Sequence, residues 1–409
     1  MHKPMNKTIR NALRTAYKVS KRIILHRSPY KKLERLFYFL KFISKKNNKA
    51  SDKSVLFYIS TIPPSAIKKV NQLFSQFQYC GYTCYYDISF SEYMKLNRFG
   101  IKAILLNDVY HYKKNMKNFS IVLSDNKEYL ENQHKKALKI FLSFRIFKYI
   151  NTISKNDFFY PLVQHFNFNC HAIEANVLKK QATSKRKIGV FFAGNINSKR
   201  YTNILTKELF GVNTRYEIFD HLINNLSKDV LYLPKNLNSF LRDIELGILE
   251  NKVVIIDTNN FELPPKYYFD ILLQSNFFLH MPGILYPYCH NQIESMMSGC
   301  IPVTQFSRFF VPSFQHELNS LLFDSMDDLI DTLLKINSGN YSDTVQIMCK
   351  NISEYYLNHH SFESFKKKLS YTIDNNLNYS NYFIVSSADN IIQELIPNFE
   401  ENHEIKTTN

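Results

Sequence analysis

The stretch Pro282 to Phe306, PGILYPYCHNQIESMMSGCIPVTQF, carries the densest set of side chains that could do chemistry. A Pro-Gly loop follows an apolar run, a short amphipathic segment comes next, and a Ser-Gly turn feeds a second apolar run. That is a strand, a loop, a helix and another strand, with the helix starting near Cys289 or Asn291 and stopping at Gly299. Backbone N–H groups at such a helix start, and its partial positive end, favour a diphosphate. Ile293, Met296 and Met297 share one face and belong to the core, whereas Glu294 sits on another face, one turn in. A carboxylate there can accept two hydrogen bonds from vicinal hydroxyls, as on a ribose. Asn291-x-x-Glu294 also has capping-box spacing, so Glu294 reads equally as the partner of a backbone donor. Gly283, Tyr288, Asn291 and Glu294 form the first candidate donor-binding group.

A second group lies in FFAGNINSKRY, Phe191 to Tyr201. Asn195 ends a strand, and Lys199 and Arg200 follow at the strand-to-helix junction. Two cations there suit a pyrophosphate, and the arginine fork makes Arg200 the better clamp. Arg215, in NTRYEI, is a weaker second candidate, and the plain alternative is a solvated basic loop. A base for an acceptor hydroxyl is sought at strand ends in the first half of the chain. Asp108 in LLNDVYHY is the chosen catalytic candidate, ahead of Asp87 and His111, although aspartates at such positions also serve as turn residues.

These residues need strands and helices to position them. SVLFYIS, YTCYYDI, IKAILLND and FSIVLSD read as buried strands, separated by helical AIKKVNQLFSQFQY and by EYMKLNRFG ending at Gly100. Each strand is apolar on both faces, as in a parallel sheet covered by helices on both sides. A long helix is expected around Lys127–Tyr149, followed by a linker from Asn151 to Arg186. KIGVFFAGN opens a second alternating series that runs through NTRYEIFDHLINNL, DVLYLP, NKVVIIDT, PPKYYFDILLQS, NFFLHMPG and MDDLIDTLLKI. The expected fold class is therefore α/β: two Rossmann-like domains facing a cleft, a basic helical leader and a helical tail. The boundaries are a leader over 1–50, a first domain over 51–180, a second over 181–342, and a tail over 343–409 that could cross back to the first domain.

The 409 residues carry a net charge of +17, but residues 1–50 contribute +14 through 15 Lys and Arg against Glu34 alone, leaving +3 for the rest. A nucleic-acid domain would spread its basic residues over a folded face, so no nucleic-acid partner is expected. Beside this charge stands LERLFYFLKFI, Leu33 to Ile43, about half the length that spans a bilayer. Basic residues next to Leu and Phe suit an anionic membrane surface, each cation contributing about 1 kcal/mol; a solubilising, frayed terminus is the alternative. No secretory signal is apparent, and the six cysteines form no C-x-x-C pair or zinc spacing. The expected location is the cytoplasm, peripheral on the inner face of the membrane, with reduced thiols and no metal site.

FFAGN…KR followed by PG…Y-x-C-H-N-x-x-E-x-M-x-x-G-C-I-P-V resembles the exostosin-like glycosyltransferases, members of the GT-B class with two Rossmann-like domains. The likeness covers Lys187 to Ile336, and the amino-terminal half shows no motif. It implies that Glu294 contacts the ribose of a nucleotide-sugar donor, and that Asn195 and Arg200 face its diphosphate. It implies no cofactor beyond that donor, and a glycan or lipid-linked acceptor in surface polysaccharide synthesis. The chain lacks any Asp-x-Asp, the motif with which single-domain glycosyltransferases hold a divalent metal, so metal-independent transfer is expected. The loop STIPPS lacks the glycine pairs common in retaining enzymes of this class, which favours inversion. Competing functions are a sugar-nucleotide epimerase or a pyruvyl or phosphoryl transferase on the same plan, or a non-catalytic basic membrane adaptor.

Overall fold

The computed structural model describes residues 29–45, 53–59, 67–96, 101, 104–105, 107–113, 118–132, 136–143, 170–284, 287, 289–375 and 382–383. It begins with helix α1 (Pro29–Ser44), followed by β1 (Ser54–Tyr58), α2 (Ile67–Tyr79), β2 (Thr83–Asp87) and α3 (Phe90–Lys95). Strands β3 (Val109–His111) and β4 (Ile121–Ser124), helix α4 (Lys127–Asn132) and strand β5 (Leu138–Ser143) complete the first series. Helix α5 (Cys170–Gln181) leads into β6 (Ile188–Gly194), then α6 (Ser198–Tyr201), α7 (Ile204–Phe210) and α8 (Arg215–Asn225). The chain continues through β7 (Leu231–Tyr232), α9 (Leu237–Glu245), β8 (Val253–Asp257), α10 (Pro265–Leu273) and β9 (Ser275–Leu279). Next come α11 (His290–Met297), β10 (Ile301–Thr304), β11 (Leu321–Leu322) and α12 (Met326–Asn337). Helices α13 (Val345–His359) and α14 (Phe362–Asp374) precede the last described strand, β12 (Tyr382–Phe383).

The strands form two six-stranded sheets, ordered β12-β5-β4-β1-β2-β3 and β11-β10-β9-β6-β8-β7. Every strand pair is parallel. These are two Rossmann-like sheets, as the alternation of the sequence implies. All carboxyl ends of one sheet therefore lie along one edge, and each sheet has a switch point where the strand order reverses. The first reverses between β1 and β4, and the second between β6 and β9.

Alternation within β1 sends Val55 and Phe57 to one apolar cluster and Leu56 to another, so both faces of the first sheet are covered. Phe42 of α1 and Phe365 and Leu369 of α14 complete the first of these clusters. The last described strand, β12, pairs with β5 at the edge of the same sheet. Of the expected tail, α13 packs on the second sheet, whereas α14 and β12 belong to the first.

Two expected elements differ. IKAILLND is not a strand: Ile101, Ile104 and Leu105 are helical, and the strand begins after Asp108. The helix expected over Lys127–Tyr149 ends at Asn132, and Leu138–Ser143 form a strand against β4. Of the expected linker, residues 151–169 lie outside the described residues and Cys170–Gln181 are helical. Residues 1–28 of the basic leader also lie outside them. Among the described residues no helix is long and apolar enough to cross a membrane.

Candidate functional site

The loop after β6 and the loop after β9 flank the switch point of the second sheet. One residue ties them together. A capping box between Thr214 and Glu217 starts α8, which puts Arg215 at its first position. The side chain is 3% exposed. Its Nε donates to the Pro282 carbonyl at 2.8 Å, its Nη1 to the Asn195 carbonyl at 3.0 Å, and its Nη2 to Cys289 Sγ at 3.5 Å. The guanidinium lies 4.3 Å from the Tyr201 ring centroid. Gly194 leaves room for it, because a Cβ there would stand 3.3 Å from Nη1 and 2.9 Å from the Phe192 ring. Arg215 was expected as a donor ligand. Its fork is instead turned onto protein groups, where it staples two loops.

Asn195 is similarly occupied. Its Nδ2 donates to Asn259 Oδ1 at 2.7 Å, while its Oδ1 accepts from Asn259 Nδ2 at 3.0 Å and from the Asn197 amide at 2.9 Å. Asp257, at the end of β8, accepts from the Ile196 and Asn259 amides and from the Asn260 side chain. This network shapes the carboxyl edge on the β8 side. Lys199 and Arg200 stand exposed on α6 in the same loop, and the Arg200 guanidinium lies 5.9 Å from the Tyr201 ring centroid.

Helix α11 resolves the capping question. Its N-cap is Cys289, whose amide donates to Gln292 Oε1 at 3.0 Å, while Gln292 Nε2 donates to the Pro287 carbonyl at 2.8 Å. Gln292 therefore does the capping, and neither Asn291 nor Glu294 is needed for it. Asn291, in the first turn, is 3% exposed, and its Oδ1 has no hydrogen-bond partner. Glu294 is fully buried. Burial, then the Glu294 carboxylate, raises the Tyr268 phenol. Burial would lower His290, but Glu294 and Cys289 beside it raise it above the ordinary histidine value. Gly283 is half-buried next to Pro282, and Tyr288 lies outside the described residues. His280, at the end of β9, is buried among Phe278, Phe306, Phe310 and Phe314, and burial pushes it down to about 3. It is a neutral core residue.

The first sheet presents its own polar group. Asp87 ends β2 and accepts from the Tyr129 hydroxyl at 2.8 Å. The Tyr129 ring stacks on Tyr58, at the end of β1, with centroids 3.9 Å apart. Asp125 follows β4 at the same edge. Asp108 does not join them. It precedes β3 and so stands at the amino edge of a parallel sheet, away from the carboxyl ends, with a 79% exposed side chain 3.0 Å from Lys45. Its selection as catalytic base rested on the strand that proved helical, and the structure removes that ground. His111 packs against Phe39 and Phe42, and burial lowers it. Among the described residues no group of three or more His, Cys, Asp or Glu could hold a metal ion.

No protein-family model matches the chain, and no curated protein does. Solved structures similar to it include the Anabaena protein HepE in complex with UDP and glucose, 9% identical over 79% of this chain and 100% of that one, with a TM-score of 0.41. A glycosyltransferase from Rickettsia africae is 10% identical over 81% of this chain and 100% of that one, with a TM-score of 0.44. WaaG, a glycosyltransferase of lipopolysaccharide biosynthesis, is 10% identical over 78% of this chain and 99% of that one, with a TM-score of 0.34. Likenesses this distant do not bear on substrate or mechanism.

Proposed function

We propose that the chain is a glycosyltransferase that moves a sugar from a nucleotide-sugar donor to a saccharide or lipid-linked glycan acceptor in surface polysaccharide synthesis. The observation that carries this reading is Asn291, a buried acceptor without a partner in the first turn of α11, at the switch point of the second sheet. A buried orphan acceptor costs about 1–3 kcal/mol, and a donor on a ligand, such as a ribose hydroxyl, recovers it. The exposed Arg200 and Lys199 supply positive charge for the diphosphate, and the start of α11 adds its dipole. That arrangement supports transfer without a divalent ion. Glu294, one turn into α11, is the carboxylate first expected at the ribose; it is fully buried and raises His290 beside it. Gly283 lies in the loop after β9 that leads to this site.

Asp87 takes the place first given to Asp108. It lies at the carboxyl edge of the first sheet beside an aromatic pair that a sugar ring can cover. Its carboxylate takes the acceptor proton while the acceptor oxygen attacks the anomeric carbon and the bond to the diphosphate breaks, with inversion. Helix α1 sets the protein on an anionic inner membrane surface: its Phe39 and Phe42 pack on the first sheet, and Leu33 and Phe37 stay exposed. The test is titration of the full chain with UDP, GDP, CMP and their sugars, followed by transfer of radiolabelled sugar to a glycan acceptor. Turnover of the donor without an acceptor would instead mark an epimerase.

A further inference from the structure

Cys289 differs from the other cysteines in its surroundings. Cys84, Cys170, Cys300 and Cys349 are buried, and Cys80 is half-buried. Burial pushes the Cys80, Cys170 and Cys300 thiols up to about 12, while Cys84 and Cys349 are also raised. Cys289, half-buried like Cys80, stands at the N-cap of α11, with Arg215 Nη2 at 3.5 Å and His290 Nδ1 at 3.9 Å from its sulfur. Burial works against its ionisation, but His290, Arg215 and the Asn291 amide outweigh that and bring it down to about 6. The titratable groups facing this cluster are Glu294 on α11, which raises His290, and Tyr268 on α10. One residue on, the buried Oδ1 of Asn291 lacks a donor, so the same helix turn has an acceptor for the O–H of a small ligand.

We propose that Cys289 is a redox modification site, at which hydrogen peroxide oxidises the thiol to a sulfenic acid. The Cys289 thiolate attacks one peroxide oxygen, and the S–O bond forms as the O–O bond breaks. The second oxygen leaves as hydroxide and takes a proton from the His290 imidazolium, giving water. Sulfur loses two electrons and the peroxide gains them. The product is a larger, neutral group where Arg215 had faced a thiolate, so oxidation loosens the staple between the two loops.

The test uses the full chain, with iodoacetamide labelling followed by peptide mass mapping from about pH 5 to about pH 9, and dimedone trapping after hydrogen peroxide. At neutral pH, Cys289 should be alkylated at least about tenfold faster than Cys80, with a midpoint near its lowered value. His290→Asn should move that midpoint upward, which a merely structural histidine would not do. Dimedone should mark Cys289, and the mark should vanish in Cys289→Ser. Equal labelling of Cys80, a midpoint above about pH 8, or a dimedone mark elsewhere would overturn the proposal. The wild-type peptide map decides the matter even if a variant folds poorly, and no part of it depends on the nucleotide-sugar assignment.

Discussion

Arg215 and Asn195 are joined by a 3.0 Å hydrogen bond from the arginine Nη1 to the asparagine carbonyl, and the same guanidinium reaches Pro282 at 2.8 Å. A buried arginine with its donors on backbone carbonyls is part of the scaffold, whereas the exposed Arg200 is available to a ligand. Arg215→Met should lower stability by about 3–5 kcal/mol, because it strands buried carbonyls and the thiol. Arg200→Ala should leave the melting temperature unchanged and weaken nucleotide-sugar binding by about tenfold. Thermal melts and binding titrations of both variants check this.

Glu174 supplies a pH signature. It is buried on α5, accepts from the Tyr356 hydroxyl at 2.5 Å, and accepts from the Phe362 amide at the start of α14. It thereby links the helix entering the second sheet to the helix returning to the first. Burial raises its carboxyl to about 7, partly offset by those two hydrogen bonds. For an acid raised on folding, stability is fully present below the unfolded value and is lost as pH rises through the folded one. Stability should therefore fall by about 3 kcal/mol between about pH 4.5 and pH 7 through this group. Glu174→Gln keeps an acceptor without the charge. Its melting temperature should match wild type at low pH and exceed it above neutrality.

The two aspartates separate cleanly. Asp87→Asn should reduce transfer by about 10²–10⁴-fold while donor affinity stays at wild type. Asp108→Asn should change neither, since its exposed pair with Lys45 is worth under about 1 kcal/mol. Initial rates with saturating donor distinguish them.

Much of the fold is legible in the residues. Runs such as KIGVFFAGN and NKVVIIDT are apolar on both faces, and their strands lie side by side in the second sheet. IKAILLND failed because a short apolar run satisfies helix and strand alike, and the choice fell to packing. LKIFLS was hidden inside an apparently continuous helix, since only pairing with β4 makes it a strand. The Asp108 assignment inherited the first of these errors. At the site, sequence pointed to the loop before α11 and to the cations after β6. It did not show that Gln292 is the capping residue, or that Arg215 faces Pro282, because those depend on chain segments far apart in sequence.

Helix α1 makes a surface prediction. Leu33 and Phe37 are 65% and 64% exposed, one turn apart, on a helix anchored from its other side. Replacing both with Ser should spare the fold and reduce binding to vesicles containing anionic lipid by at least about tenfold. Vesicle co-sedimentation measures this, and unchanged partitioning would remove α1 from the membrane contact.

The most direct test of the central claim is calorimetric titration of wild-type chain and Asn291→Leu with nucleotide sugars in the presence of EDTA. Wild type should bind one of them with a Kd between about 1 μM and 1 mM. Asn291→Leu should bind it at least about tenfold more weakly while melting no lower than wild type, because the substitution removes an orphaned buried acceptor. Absence of binding, or equal affinity in the two proteins, would contradict a donor site at the start of α11.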